Sequence, residues 1–432
     1  MTFLGIAFLL LALAAQFVLP RRFALLPLIL GFTWMTRGQL VDLGFVNISI
    51  TRIIIVSAIF RAWLRGEHLF NGPSHVDKWI YIWALVLLVT TPFHLPDTTV
   101  YRLGIIWDYV GVYFLFRLFV IKREDIELVF KILFIAFFPV ALSMLYEQHT
   151  DDNVFRALGG VPLVSPHRTN GIRACGPFPH PILAGTAGAI LVPMAAYFWK
   201  SARSWAVLGG LAGLGVVYAS GSSGPMLMTA IGLACMVIWP LRGQVRIFQW
   251  AGVLLVFLLN LVMNDPVYFL LAKIDVAGGS MGWHRAQLIQ STLAAVSEWW
   301  LYGTDYTRHW MPTGIPASDR HTDITNHYIA MAVYGGIGLL IAFIGLLVSV
   351  FRGLGLAIQN ESVDVKERFL AWTLGSILVA HSFNFLSIVL FDQSIISFLL
   401  VVGLAVGLCS KTLPMPDSNI ELQKSIGRIG LQ

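Results

Sequence analysis

The sequence predicts an all-α, polytopic membrane protein of 12–13 transmembrane helices, and three observations carry that reading. Of its 432 residues, 57% are hydrophobic and only 12% charged, about half the charged share of a soluble domain. The apolar residues gather into runs of membrane length separated by polar connections. Alternating ten-residue barrel strands are absent, so helices are left to satisfy the backbone inside hydrocarbon. The three cysteines, Cys175, Cys235 and Cys409, fall in a loop, in mid-helix and near the C-terminus. That spread gives neither a disulfide framework nor a CxxC metal site.

The first run, 3–19, lies in "MTFLGIAFLLLALAAQFVLPRR". Its "ALA" resembles a signal-peptide cleavage site, but a positively charged n-region is missing and two arginines follow, so a retained span is expected. The second, 23–36, is short of the ~20 residues needed to cross squarely and is re-entrant or tilted. Further runs follow at 43–60, 79–95, 99–120, 126–146, 179–199, 204–220, 222–241, 246–264, 327–351, 368–388 and 392–410. Neither an internal repeat nor a low-complexity linker divides them. We read one transmembrane domain over 1–411 and a cytoplasmic tail over 412–432.

Lys and Arg in the short connections set sidedness. Arg21/Arg22, Arg61/Arg65/Lys78, Lys122/Arg123, Lys200/Arg203, Arg242/Arg246 and Arg352/Lys366/Arg368 fall on alternate connections, and only Arg37 dissents. The basic side is therefore read as cytoplasmic. The connections 94–99, 220–225 and 390–393 then face outward, with two long loops, about 147–178 and 265–326. Those loops carry Arg156, Arg168, Arg173, Lys273, Arg285, Arg308 and Arg320. Seven of the eleven histidines also lie there or at their helix junctions: His149, His167, His180, His284, His309, His321 and His327. Basic groups gathered at an outer surface suit an anionic ligand, phosphate above all for arginine. The plain alternative is attraction to lipid headgroups, worth about 1 kcal/mol per charge.

In "RTNGIRACGPFPHPILAGTAGAIL" (168–191), glycine and prolines force turn backbone just before a helix. Arg173 is thereby held near a helix N-terminus, where free N–H groups favour an anion; a snorkelling arginine is the alternative. Gly185 and Gly188 would let a neighbouring helix come close. In "ASGSSGPMLMTA" (219–230), Ser222 and Ser223 suit a helix cap, and no adjacent His or acid supports a nucleophile. In "GGSMGWHRAQLIQSTLAAVSEWWLYGTD" (278–305), Ser280 can cap a surface helix with Trp283, Leu288, Ile289 and Leu293 as apolar positions and Trp299/Trp300 at headgroup depth. His284 and Arg285 occupy its first turn, where the dipole prefers acids, which points to a bound anion.

In "DRHTDITNHYI" (319–329), His321, Asp323 and His327 match neither HExxH nor a Cys/His zinc pattern, so no metal is expected. Within the apolar runs, His381 and Asn384 share a helix face, Asp392 lies just beyond, and Asp108 sits below Arg102. Each is a functional candidate or an interhelical hydrogen-bonding group.

Four of these stretches together carry a resemblance. "RACGPFPHPILAGT", "SGSSGPMLM", "WHRAQLIQSTLAAVSEWWLYGTD" and "TNHYIAMAVYGGIGLL" follow the order found in the O-antigen ligase and polymerase superfamily. The chain resembles especially its exopolysaccharide-polymerase branch, over roughly 170–345. The resemblance implies a GT-C-type glycosyltransferase in the bacterial inner membrane. Such enzymes take a glycan from an undecaprenyl-pyrophosphate carrier at the periplasmic face and pass it to an acceptor hydroxyl, inverting and without metal or cofactor. Carried over by motif, Arg173 and Arg285 neutralise the leaving pyrophosphate. His327, with His321 as second choice, orients or deprotonates the acceptor. Arg168, His180, His284, Arg320, His321 and Asn326 are the expected substrate-binding residues around them. Ligase relatives usually show His-Asn at this junction, whereas here the order is Asn326-His327.

The resemblance leaves the acceptor open. A polymerase extends a carrier-linked repeat unit, whereas a ligase transfers to lipid A-core and an O-oligosaccharyltransferase to protein. The last often carries a longer soluble C-terminal portion than is seen here. A transporter of anionic lipid-linked substrate would also want outer arginines, but along a path open to both sides. Membrane lipids and a chain-length regulator are the other expected partners, and nucleic acid is not.

Overall fold

Each apolar run coils into helix, since hydrocarbon leaves a single segment no other way to pair its N–H and C=O groups. The structure, a computed structural model, describes residues 1–44, 46–69, 72–168, 171–273 and 282–412, with Arg168 and 410–412 described by their backbone alone. The expected cap Ser280 and nearly all of the expected tail lie outside the described residues. The first half holds α1 (Phe3–Val18), α2 (Leu26–Trp34), α3 (Ile50–Leu64), α4 (His75–Thr90), α5 (Thr99–Phe119) and α6 (Arg123–Thr150). Then come α7 (Pro181–Ala189), α8 (Leu191–Phe198), α9 (Arg203–Ala219), α10 (Ser223–Val237) and α11 (Val245–Val262). The second long loop carries the short helices α12 (Leu270–Lys273), α13 (Gly282–Ala294) and α14 (Val296–Trp299). The chain closes with α15 (His327–Gln359), α16 (Val365–Asn384) and α17 (Gln393–Thr412).

The class is all-α. Small antiparallel hairpins, β1 (Leu40–Asp42) with β2 (Asn47–Ser49) and β3 (His167–Arg168) with β4 (Gly171–Ile172), decorate loops. Five helical stretches are long and apolar enough to cross a membrane: His75–Phe93, Arg123–Thr150, Pro181–Phe198, Trp239–Val262 and His327–Gln359. That is the signature of a multi-pass membrane protein. The helix α11 shows the same thing from packing, because it buries no side chain within the chain while exposing Trp250, Phe257 and Val262. Apolar surface of that extent is stable only against lipid or another apolar partner.

Several boundaries differ from the sequence reading for local reasons. The run 43–60 contains strand β2, and α3 starts only after Ser49, whose Oγ accepts from Arg52 N–H. The run 179–199 is broken at Ile190 into α7 and α8; Pro193 has no N–H for the Ala189 carbonyl, which frees the turn there. Small residues bring α7 against α9 and α10. A Cβ on Gly188 would lie 2.7 Å from Val216, and one on Gly185 2.5 Å from Ser220 Oγ, the close approach expected of those glycines.

The connections sort into two ends. At the basic end, Arg21 Nη2 donates to Leu118 O (2.5 Å), Arg123 pairs with Asp364 (3.1 Å) and Tyr197 Oη donates to Glu127 (2.8 Å). At the other, here the loop end, Gln39 donates to Leu158 O, His94 Nδ1 meets Asp305 (2.7 Å) and Arg320 pairs with Asp97 (2.9 Å). Both long loops therefore fold onto the same end of the bundle, with 94–99 and 385–393.

Candidate functional site

The first loop is built around Glu147, at the end of α6. Its buried carboxylate accepts from Cys175 N–H (3.0 Å), Gly176 N–H (2.8 Å) and Ser165 Oγ (2.9 Å). Asn153 Nδ2 adds a bond to Gly176 O (2.9 Å). Two residues before Cys175, Arg173 donates its N–H to Pro166 O (2.9 Å), and Ala174 N–H reaches Ala219 O (2.9 Å). The strap so formed lays Arg173 over the α9–α10 turn, where Nε donates to Ser220 O (3.3 Å) and Nη2 to Ser222 Oγ (2.7 Å). Ser222 holds the N-cap position of α10 without capping it; its hydroxyl serves Arg173 and donates to Ser220 O (2.9 Å). Arg173 thus lies at the start of α10 rather than of α7. The α7 start is taken by His180, whose Nδ1 accepts from Ile182 N–H (3.2 Å).

The second loop packs through α13, whose Leu288 joins Met311, Ile329 and Val333 in a small apolar core against the start of α15. This fixes which way the helix faces. His284 and Arg285 turn inward and are 4% and 8% exposed, whereas Trp283 and Leu293 turn outward at 58% each. The four apolar positions of this helix are therefore split, with Leu288 inside. His284 Nε2 lies 2.8 Å from Asp323 O. Burial raises the Asp323 carboxyl above its ordinary range, against the pull of His284 and Arg285 beside it. Trp299 is buried and donates Nε1–H to Thr292 O (2.8 Å), leaving Trp300 at the surface.

The loop-to-helix junction explains the Asn-His order. Asn326 is the N-cap of α15, its Oδ1 accepting from Tyr328 N–H (3.0 Å) and Ile329 N–H (3.2 Å). His327 follows as the first helical residue and turns into the protein, buried between Phe343 and Phe385. Its Nδ1 accepts from Leu390 N–H (3.3 Å), which leaves Nε2–H to donate to Tyr109 Oη (3.1 Å). Two turns on, α15 breaks at Gly335–Gly336. Gly336 has φ +68°, and a Cβ there would lie 2.5 Å from Leu301 O. The backbone groups freed by the break bond to the 300–304 turn: Ile337 N–H to Trp300 O (2.9 Å) and Thr304 N–H to Val333 O (3.0 Å). Beyond the break, Ile337–Gln359 is long enough alone to cross ~30 Å of hydrocarbon at ~1.5 Å per residue.

The segment 385–393 ties these pieces together. Phe385 O accepts from His327 N–H (2.8 Å), and Gln393 Nε2 reaches Pro177 O on the first loop (3.4 Å). Just before it, Asn384 Nδ2 donates to Thr186 Oγ1 on α7 (3.0 Å). Arg173, His180, His284, Arg285, Asn326 and His327 are thereby assembled around one end. Arg320 and His321 stand further out, on a turn closed by the Pro316–Thr322 bridge. Arg320 is exposed on Asp97, and His321 Nδ1 lies 3.3 Å from Thr307 Oγ1. Burial holds His321 below the ordinary imidazole range, with Asp305 opposing and Arg320 adding to the shift. Of Arg168 the structure describes only its strand pairing with Gly171. Among the described residues no three His, Cys, Asp or Glu side chains form a ligand set.

Sequence reading missed Glu147, Tyr109 and Gln393. A carboxylate at the outer end of an apolar run was the available signal for the first; the other two carried none. Compared with known families and curated proteins, the chain matches no family model and no curated sequence.

Proposed function

We propose that this chain is a metal-independent, inverting membrane glycosyltransferase. In this reading it polymerises undecaprenyl-pyrophosphate-linked repeat units at the periplasmic face, which is the loop end. The observation that carries the proposal is the orientation of α13. An interfacial helix that merely bound headgroups would hold its cations outward. Here His284 and Arg285 face the protein beside Asp323, and Trp283 faces out; a guanidinium and an imidazole on the bundle side of α13 are what a carrier pyrophosphate would need there. Arg173, held over the α9–α10 turn by Ser220 O and Ser222 Oγ, supplies a second guanidinium at the same end. The resemblance of the four stretches supplies the substrate class.

The reaction then runs as follows. An acceptor hydroxyl oxygen attacks the anomeric carbon from the face opposite the carrier, and the bond to the pyrophosphate oxygen breaks. Negative charge grows on the pyrophosphate as it leaves. Arg173 and Arg285 bind that charge more strongly in the transition state than in the ground state. The acceptor proton passes to a neutral imidazole. His327 has both ring nitrogens engaged, so its part is to position the junction through Tyr109 and Leu390. We assign the proton to His321, on the loop that leads into the junction, where burial holds the imidazole below its ordinary range. A deletion strain retaining the upstream enzymes and flippase should accumulate single carrier-linked repeat units. Long carrier-linked polymer, with only its transfer to lipid A-core lost, would make the chain a ligase instead.

A further inference from the structure

Four charged side chains at the loop end stand outside the carrier site: Arg37, Arg52, Asp108 and Asp392. Arg37 is the residue that breaks the charge pattern of the short connections. The structure sets its Nη1 3.7 Å from Asp392 Oδ2, with the side chains 54% and 39% exposed. That separation is too long for a hydrogen bond, and an open pair of this kind adds little to stability. Asp392 sits in left-handed backbone, at φ +49°, a conformation that aspartate adopts more readily than most L residues. The α16–α17 turn thus presents a half-exposed carboxylate whose ion pair does little for the fold.

Deeper in, Arg52 forks onto Asp108, Nε to Oδ1 at 2.9 Å and Nη2 to Oδ2 at 2.7 Å. Gly104 makes room for it, since a Cβ there would lie 2.5 Å from Arg52 Nη2. Asp392 feels this pair as well: burial raises its carboxyl, Arg37 draws it back, Asp108 adds to the rise and Arg52 opposes. Tyr101 and Tyr334 border the group, with their hydroxyls 3.4 Å apart and Tyr101 exposed. Asp108 is followed in the chain by Tyr109, the partner of His327 Nε2.

We propose that these six side chains form the acceptor subsite and take the end of a neutral glycan. Two positive and two negative groups cancel, so the cluster has no net attraction for pyrophosphate, unlike the Arg173 and α13 side. Carboxylates accept from, and guanidinium groups donate to, the paired hydroxyls of a sugar ring. The tyrosine rings offer apolar faces beside polar tips, the usual mixture in a small-molecule site. Asp392 and His327 are both carried by contacts of the 385–393 segment, which sets the acceptor next to the junction.

The inference rests on the glycosyltransferase reading, and its test separates the two. Arg37→Ala alters an exposed side chain, and Asp392→Asn keeps a residue tolerant of left-handed backbone, so both variants should fold. The probe is oligosaccharide released by mild acid from the producing cell's own surface polysaccharide. Its binding to purified protein is measured by titration, alongside the acceptor KM and the binding of an undecaprenyl-pyrophosphate analogue. Each variant should weaken oligosaccharide binding and raise the acceptor KM about tenfold, with analogue affinity unchanged. Unchanged oligosaccharide binding in both variants, or no binding by the wild type, overturns the subsite. Loss of analogue affinity also overturns it, by placing the cluster on the carrier. A wild type that binds the oligosaccharide through Arg37 and Asp392 yet transfers nothing would keep the subsite and sink the glycosyltransferase reading.

Discussion

Removing the Glu147 carboxylate should release the strap that positions Arg173. Three donors converge on that group from the first loop: Cys175 N–H, Gly176 N–H and Ser165 Oγ. A hydrogen bond to an ionised acceptor contributes about 1.5–3 kcal/mol, and buried donors left behind carry their own desolvation cost. Summed with allowance for relaxation, Glu147→Ala should cost about 3–5 kcal/mol, the scale seen when a buried charged network loses one member. The loss is local to the loop, so it should appear as opening rather than as global unfolding. A cost of ~3 kcal/mol corresponds to roughly a hundredfold faster exchange of the Cys175 and Gly176 amides. Glu147→Gln is the graded case. Its amide oxygen can still serve Cys175 and Ser165, but its NH2 would face Gly176 N–H, so an intermediate loss is expected. Hydrogen-exchange mass spectrometry in detergent, with turnover measured on the same preparation, reads both effects. Amide protection within a few-fold of wild type in Glu147→Ala, or undiminished turnover, would refute the strap as the element that places Arg173.

Gly336→Ala should lower the thermal unfolding midpoint, by about 2–4 kcal/mol in stability, because a left-handed φ and the Leu301 carbonyl both oppose a Cβ. An unchanged midpoint would mean that the break is not locked by the 300–304 turn. His381 is fully buried, and neither ring nitrogen has a partner among the described residues. His381→Leu should therefore raise the midpoint by relieving a cost of about 1–3 kcal/mol, and a fall would reveal a partner for the ring. For sidedness, single cysteines at Asp152 and Ser318 should react with an impermeant maleimide in intact spheroplasts, and one at Glu361 only after lysis; the reverse pattern would overturn the periplasmic placement of the loops.

The helices were legible because hydrocarbon imposes one solution on any long apolar run, and basic residues mark the ends that the structure brings together, as Arg21, Arg117 and Arg123 show. What was not legible depends on partners distant in sequence. Glu147 looks like any polar residue at a helix end until Cys175 and Gly176 arrive from the loop. "YGGIG" shows two glycines but not that Trp300 and Thr304 fill the gap they open. On α13, Trp283, Leu288 and Leu293 are alike as apolar positions, yet Leu288 packs on the start of α15 and the other two do not. Periodicity gives a face and leaves undetermined which side of it the bundle takes. The candidate arginines stood out by their position in outer loops, whereas the pairing of Arg37 with Asp392 joins residues at opposite ends of the chain.

The most direct measurement is turnover of carrier-linked repeat units by purified Arg173→Ala, Arg285→Ala and the double variant in liposomes. Binding of an undecaprenyl-pyrophosphate analogue and monodispersity are followed in parallel. Losing one charge-stabilising donor of this kind costs about 3 kcal/mol, roughly a hundredfold in rate. Each single variant should therefore lose about that much while staying monodisperse, and lysine should rescue poorly because it cannot form the two-pronged contact. Because both groups act on one pyrophosphate, the double variant should be far less damaged than the product of the singles. Near-normal turnover in either arginine variant, or simple additivity between them, would contradict the account and leave these residues as headgroup anchors.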